Sequence, residues 1–271
     1  MLEILTTPYL LRALIALFLI SINAALSGSF TVFRGQSFLV AGAAHAALAG
    51  AALAIVLEVY GVFSMNPLMG GLIFAVLMAM SAGYASREGK SERSETAIGV
   101  AFAVSMSLAI LFISVIPEYS SRAWGLLMGD LMLLTEQDLL LMLLATIAVI
   151  AFFVLFYREF LFISFDMEGA IAYGVNASRY NYLLTILIAT SVVVILKGVG
   201  AILVYAMLIA PAAAANEGGR SINSVIAITF LIALLSGLAG IVVSFAFPLS
   251  PGAIAGLIAG SVYFIKIIKR G

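Results

Sequence analysis

The chain has 271 residues, of which 64% are hydrophobic and only 10% are charged, and its mean hydropathy is +1.23. Soluble domains are about 45–50% apolar and about 25% charged, so this composition predicts an integral membrane protein. The net charge is zero and the basic residues are scattered, which excludes a nucleic-acid-binding role. The chain has no cysteine, which excludes disulfides, thiolate metal sites and thiol nucleophiles.

Apolar runs fill most of the sequence, and a helix needs roughly 20 apolar residues to cross the hydrocarbon core. The first run lacks the basic leader and small-residue cleavage site of a signal peptide, so we interpret it as a retained helix. The chain is therefore predicted to be an all-α, polytopic bundle of about eight or nine transmembrane helices, a single domain over residues 1–271. The predicted spans are 9–26, 38–57, 67–84, 97–116, 139–157, 182–196, 199–215, 222–247 and 252–265.

The second span, "FLVAGAAHAALAG", contains the only histidine of the chain, His45. We expect the imidazole to lie roughly 15 Å below one surface, near the bilayer midplane. Two interpretations stay open: a hydrogen bond between packed helices, or a functional site, the default for an ionisable residue at such depth. Small residues share its face, so another backbone can come close.

Two connecting segments carry weaker signals. "GYASREGKS", from Gly83, approaches a phosphate-binding loop, but five residues separate Gly83 from Gly89 where the motif needs four, and a membrane helix precedes it. We interpret it as a charged cytoplasmic turn. "WGLLMGDLMLL", from Trp124, is too short to span a bilayer, so we expect a re-entrant or interfacial segment.

The segment "FDMEGAIAYGVNASRY", Phe165 to Tyr180, predicts a short amphipathic helix. Met167, Ala170 and Ile171 share one side, Asp166 and Glu168 lie toward the other, and Gly174 ends the helix. Such a helix on the cytoplasmic side could bind a partner protein, or it could lie on the membrane surface.

The segment "KGVGAILVYAMLIAPAAAANEGGR", Lys197 to Arg220, contains Pro211 within an apolar run, followed by four alanines. Proline removes a backbone donor and alanine permits close approach, so we expect a kinked, tightly packed helix.

Basic residues favour the cytoplasmic ends of membrane helices, and here they fall in alternate loops. The pattern predicts an outside N-terminus and an inside C-terminus, with Arg122 and Lys197 as exceptions. The residues assigned to the inside are Arg34, Arg87, Lys90, Arg93, Arg158, Arg179, Arg220, Lys266, Lys269 and Arg270.

Six pieces of the chain, in order, resemble the permease subunits of ATP-binding-cassette importers for divalent metals, the zinc and manganese uptake group. The resemblance covers nearly the whole chain. The pieces are "SGSFTVFRGQSFLVAGAAHAALAG", "SERSETAIGVAFAVSMSLAILFIS", "WGLLMGDLMLLTEQDLLLM", "FDMEGAIAYGVNASRYNYLL", "GVGAILVYAMLIAPAAAA" and "FPLSPGAIAGLI".

The resemblance implies a multi-pass protein of a prokaryotic cell membrane, with the fold of type II importers. Two copies would line one translocation path, each resting on a copy of a separate ATPase, and an extracytoplasmic metal-binding protein would deliver the ion. Residues 166–175 match the family's coupling helix, with Asp166, Glu168, Ala170 and Gly174 at the ATPase contact. His45 matches the family's path-lining histidine. The metal is the substrate, and no permanent cofactor is expected.

One position departs from the family pattern. The family commonly has an aspartate four residues before the histidine, and Ala41 stands there in this chain. Imidazole suits zinc, whereas manganese prefers more oxygen ligands, so zinc is favoured, with manganese and iron as the alternatives. The departure leaves two alternatives open: Glu58, Asp130 or Asn23 contributes oxygens, or the chain moves a non-metal solute or acts as a structural membrane partner. A membrane enzyme is disfavoured, because the sequence shows no nucleophile and base at workable spacing.

Overall fold

The computed structural model describes residues 8–85, 91–116, 125, 129, 131–247 and 249–270, and every regular element in these ranges is helical. A π-helical turn, Ala24–Gly28, joins α1 to α2, and a 3₁₀ turn, Leu131–Leu133, precedes α6. The helices are α1 (Pro8–Asn23), α2 (Ser29–Phe33), α3 (Ser37–Val59), α4 (Pro67–Ala85), α5 (Ser91–Val115), α6 (Glu136–Leu155), α7 (Tyr157–Phe165), α8 (Met167–Ala172), α9 (Ala177–Val199), α10 (Val204–Asn216), α11 (Ile222–Ala246) and α12 (Pro251–Arg270).

Side-chain contacts sort the helix ends into two groups. At one end, Arg34 bonds to Asn181, and Lys266 donates to the backbone oxygen of Ala214 over 2.8 Å. This end carries the basic residues that the sequence assigns to the cytoplasm, so we call it the inner end. At the opposite, outer end, the start of α6 pairs with the start of α1 and the end of α9.

Over the part of the chain that the structure describes, the helices pass between the two ends nine times. In the described ranges, eight helical segments are long and apolar enough to cross a membrane, the first of them running without a break from Pro8 to Phe33. The ninth pass is α10, which has only 13 residues. The sequence predicts eight or nine spans, and both numbers fit this structure. Among the described residues, eight helical segments are long enough to span a membrane, and the short helix α10 adds a ninth pass.

Five helix boundaries differ from the sequence expectation by five or more residues, and two of them have a clear local reason. The first span continues to Phe33 instead of ending near Leu26, because the π-turn keeps the backbone helical through the small residues Ala24–Gly28. The seventh span begins at Val204, since Gly200 at φ +81° ends α9. Residues 86–90 of "GYASREGKS", Arg122, and residues 124, 126–128 and Asp130 of "WGLLMGDLMLL" lie outside the described residues.

Hydroxyl and amide side chains on the first helical segment, all fully buried, join it to α6, α9 and α11. Asn23 donates to the Thr146 hydroxyl of α6 over 2.8 Å, and the hydroxyls of Ser27 and Ser191 of α9 lie 2.7 Å apart. Polar pairs of this kind hold membrane helices together where lipid supplies no hydrophobic driving force. They fix the first segment at the centre of the bundle.

Glycines let α3 and α4 touch backbone to backbone. A methyl group on Gly50 would overlap the carbonyl of Gly70 and come within 2.7 Å of its carbon. We expect Gly50→Ala to lower the free energy of unfolding by about 1–3 kcal/mol, the usual cost of overpacking, and to lower the melting temperature of the purified protein. Gly99→Ala is the matched control, because nothing lies within 4 Å of its added methyl. Equal melting temperatures for the two variants would contradict the close-contact argument.

Candidate functional site

His45 lies in the middle portion of α3. The helix runs from Ser37 to Val59, so the imidazole is about 12 Å along the axis from the inner end and about 21 Å from the outer end. It is therefore slightly nearer the inner end than the sequence estimate placed it. The ring packs edge-on against Phe102 of α5, with the ring centroids 4.7 Å apart.

The imidazole has one ring nitrogen engaged. Its Nδ1 lies 2.8 Å from the backbone oxygen of Ala41, one helical turn earlier. A carbonyl oxygen can only accept, so this bond requires the proton on Nδ1 and leaves the lone pair on Nε2. Metal-binding histidines are commonly oriented this way, with one N–H held by a carbonyl and the other nitrogen free for the ion.

A half-open strip interrupts the otherwise buried surface of α3. Most residues from Leu39 to Ile55 are buried, whereas Ser37, Ala41 and His45 are only half-buried. These three positions are four residues apart and so share one face. At its inner end the strip joins a groove of about 460 Å³ lined by Ser37, α10 and α12. The histidine thus lies on the one face of α3 that the bundle leaves partly uncovered near mid-depth.

The alternative oxygen donors do not converge on His45. Glu58 lies 13 residues further along α3, about 20 Å away along the axis. Asn23 donates to Thr146 and to the Leu19 carbonyl in the first segment, and Asp130 is outside the described residues. Within the described ranges, no three His, Cys, Asp or Glu side chains are grouped to hold a metal ion. One copy of the described chain therefore offers one imidazole, not a complete ligand set.

Pro211 lies inside α10, where it removes the backbone donor that would pair with the Met207 carbonyl. The alanines after it are packed as the sequence predicts: Ala212, Ala214 and Ala215 are fully buried. Their small size lets Gly28 of the π-turn approach α10 closely, since a methyl on Gly28 would overlap the Leu208 carbonyl and lie 3.4 Å from Ala212 Cβ.

The segment predicted at residues 166–175 forms the short helix α8. The Asp166 side chain caps it by accepting from the Gly169 N–H over 2.7 Å, and Gly174 ends it at φ +79°. The Gly174 and Val175 N–H groups donate back to the carbonyl oxygens of Ile171 and Ala170, the pair of hydrogen bonds that ends many helices. The predicted end of the helix at Gly174 is therefore confirmed, and the structure adds Asp166 as the cap of its start.

One detail of the predicted amphipathicity is wrong. Ala170 is fully buried and Glu168 is exposed, as expected, but Ile171 is 59% exposed and not on the buried side. Tyr173 is 84% exposed. The six-residue helix offers room for one inward position per turn, and Ala170 takes it. The segment thus presents apolar side chains away from the bundle.

Salt bridges at the outer end explain the basic exception in the charge pattern. Lys197 lies 3.3 Å from Asp138, and Arg12 lies 2.7 Å from Glu136, so neither cation adds net charge to the outer side. Both acids stand in the first turn of α6, where a negative charge also stabilises the helix N-terminus. Asp138 further closes a capping box with Thr135.

Sequence reasoning missed a part-buried hydrogen bond from a charged side chain at the inner end. Arg34, expected only as a loop marker of orientation, donates through Nη2 to Asn181 Oδ1, and its Nη1 is buried without a hydrogen-bond partner among the described residues. Burial lowers the pKa of Arg34 to about 10, so the guanidinium stays charged at neutral pH. The charge rule could not find this, because it treats every loop arginine as solvated.

The sequence profile of the ABC 3 transport family matches residues 6–270. The manganese transport system membrane protein MntC of Listeria monocytogenes is 32% identical, and the match covers 96% of this chain and 90% of MntC. The manganese import system permease protein ScaB of Streptococcus gordonii is 29% identical, with 95% of this chain and 90% of ScaB covered. The structure of PsaBC from Streptococcus pneumoniae in complex with Fab is similar at a TM-score of 0.85 and 28% identity, covering 98% of this chain and 94% of that chain.

Proposed function

Because the chain belongs to the ABC 3 transport family, over residues 6–270, we propose that it is the permease subunit of an importer for divalent metal ions. It is a multi-pass cell-membrane protein, since its eight apolar spans accompany family membership. The observation that carries the proposal is His45: a mid-depth imidazole on the half-open face of α3, with Nδ1 bonded to a carbonyl and Nε2 left as an acceptor.

The choice of metal rests on two lines of support that favour different ions. Imidazole without a carboxylate favours zinc, and Ala41 occupies the position from which a carboxylate would reach the same face. The relatives MntC and ScaB are named as manganese transport and import proteins, which favours manganese. A single imidazole per chain makes the site weak for either ion, which suits a path because the ion must also leave.

A second copy of the chain would complete the path. The groove beside α10 and α12 is lined by apolar and small residues, among them Ala206, Ile209 and Gly256, with Glu217 at its rim. A second copy seated there would cover this surface and bring a second imidazole to the same ion. The permease would then be a homodimer.

Energy would come from a separate ATPase subunit at the inner end. The exposed Ile171 and Tyr173 give α8 an apolar surface that a groove on such a partner could bury. The cap by Asp166 and the stop at Gly174 keep the segment rigid enough to transmit a push. An extracytoplasmic metal-binding protein would deliver the ion at the outer end.

Reconstitution tests this proposal. The permease is inserted into liposomes with its ATPase partner, and ATP hydrolysis is measured with zinc, manganese, iron and, as the control, chelator alone. Stimulation by at least one metal, with uptake of that metal into the vesicles, is expected. Lack of stimulation by all three would favour the alternative, a permease-fold protein that moves a non-metal solute or serves as a structural partner.

A further inference from the structure

Arg34 stands in the tight turn between α2 and α3, three residues before the helix that carries His45. Gly35, at φ +62°, allows the turn, and the Gly35 and Gln36 N–H groups donate back to Val32 and Thr31. These two hydrogen bonds fix the backbone conformation at Arg34. Because the turn is rigid, a displacement of the Arg34 side chain would be passed on to the start of α3.

The acceptor for Arg34 lies just beyond α8 in the chain. Asn181, only 2% exposed, stands in the second turn of α9, and α9 begins at Ala177, shortly after the Gly174 stop. Phe165, the last residue of α7, also lies close to the α2–α3 turn, because its ring centroid is 5.5 Å from that of Phe33 at the end of α2. Phe165, just before α8, and Asn181, in the helix after it, thus contact the adjacent residues Phe33 and Arg34.

The aromatic neighbours make this joint stiff. Phe30 of α2 packs against Phe160 of α7 and against Phe153 of α6, with ring centroids 6.4 Å and 5.0 Å apart. Apolar rings resist compression but carry no directional bond. The directional contact in the joint is the bond from the Arg34 guanidinium to Asn181.

We propose that Arg34 is a positioning residue that couples movement of α8 to α3 by holding Asn181. This inference rests on the proposed transport function. It adds the residue pair, Arg34 and Asn181, through which a movement of the ATPase would be transmitted to α3, the helix that carries His45. Loss of the Asn181 acceptor would leave Nη2 as well as Nη1 of the charged guanidinium without a hydrogen-bond partner among the described residues, which makes the link costly to break.

The test measures metal transported per ATP hydrolysed by the full permease–ATPase complex in liposomes. Arg34→Lys keeps the charge but loses the planar pair of donors, and Asn181→Leu removes the acceptor. Both are expected to lower metal transported per ATP about 2- to 30-fold, the range for one lost contact between coupled helices, while the ATP hydrolysis rate stays within about twofold. Asn181→Asp, which retains the acceptor, is expected to keep the ratio. Arg179→Lys is the matched control, because Arg179 is exposed at the same end.

Parallel loss of transport and hydrolysis in both Arg34→Lys and Asn181→Leu would overturn the inference and indicate a merely structural role. A wild-type complex without metal uptake would overturn the proposed function and this inference together, so the two failures are distinguishable. The cysteine-free chain permits a second measurement, with spin labels on cysteines introduced at the exposed residues Phe38 and Ala172. Their separation should stay constant between nucleotide states in wild type and change in Arg34→Lys. A constant separation in the variant also overturns the inference.

Discussion

Replacing His45 with alanine is expected to lower metal uptake by the reconstituted complex, at metal concentrations well below saturation, by about 100-fold or more. Loss of a residue that only supports a ligand costs about 10- to 100-fold in metal affinity, and loss of a ligand should cost no less. In a homodimer both imidazoles disappear at once. ATP hydrolysis without metal should continue, because His45 lies within α3 and far along the chain from α8.

Phe38→Leu is the control for His45→Ala. Phe38 and His45 both pack against Phe102, with centroid distances of 5.5 Å and 4.7 Å, so the control disturbs the same aromatic contact without removing a nitrogen. Its uptake should remain close to wild type. Full uptake of zinc, manganese and iron by His45→Ala would remove the imidazole from the mechanism.

Ala41→Asp should give the second largest effect, in the opposite direction. The new carboxylate would stand one turn before His45 on the same half-open face. Since manganese prefers oxygen ligands, the apparent affinity for manganese should rise about 10- to 100-fold, and manganese should compete better against zinc. Competition uptake with the two ions measures this ratio directly.

Ala41→Asn separates charge from shape, since it adds a side chain of the same size with a neutral oxygen. It should shift the manganese-to-zinc ratio far less than Ala41→Asp. The double variant Ala41→Asp with His45→Ala should lose most of the gain. An unchanged ratio in Ala41→Asp would show that this face of α3 does not meet the ion.

The long helices could be predicted because their signal is local. Charged or Pro/Gly-marked breaks bound each apolar run, and Asp166 and Gly174 provide the start and stop of α8 within their own turns. The π-turn could not be predicted, because Ala24–Gly28 is as apolar and small as an ordinary helical stretch. What favours it lies on other helices, in the close approach of Gly28 to α10.

The candidate site likewise has one part that the sequence predicts and one part that it does not. His45 could be found as the only histidine in an apolar span, but its neighbour Phe102 lies on α5 and no sequence spacing connects them. The partner of Arg34, Asn181, is 147 residues away in the chain. Side chains that meet across helices depend on how the helices are arranged, and periodicity within one helix contains no such information.

The length of α10 has a consequence for the backbone that precedes it. Thirteen residues extend about 20 Å, roughly 10 Å short of the hydrocarbon core, so the non-helical residues 200–203 before α10 lie at membrane depth. Backbone of that kind is tolerated where protein or a water-filled cavity surrounds it. Protein lies against it here, because Ala201 is only 3% exposed and a methyl group on Gly129 would overlap the backbone nitrogen of Gly200. The short α10 is therefore tolerated in the membrane through packing at its outer end rather than through its own length.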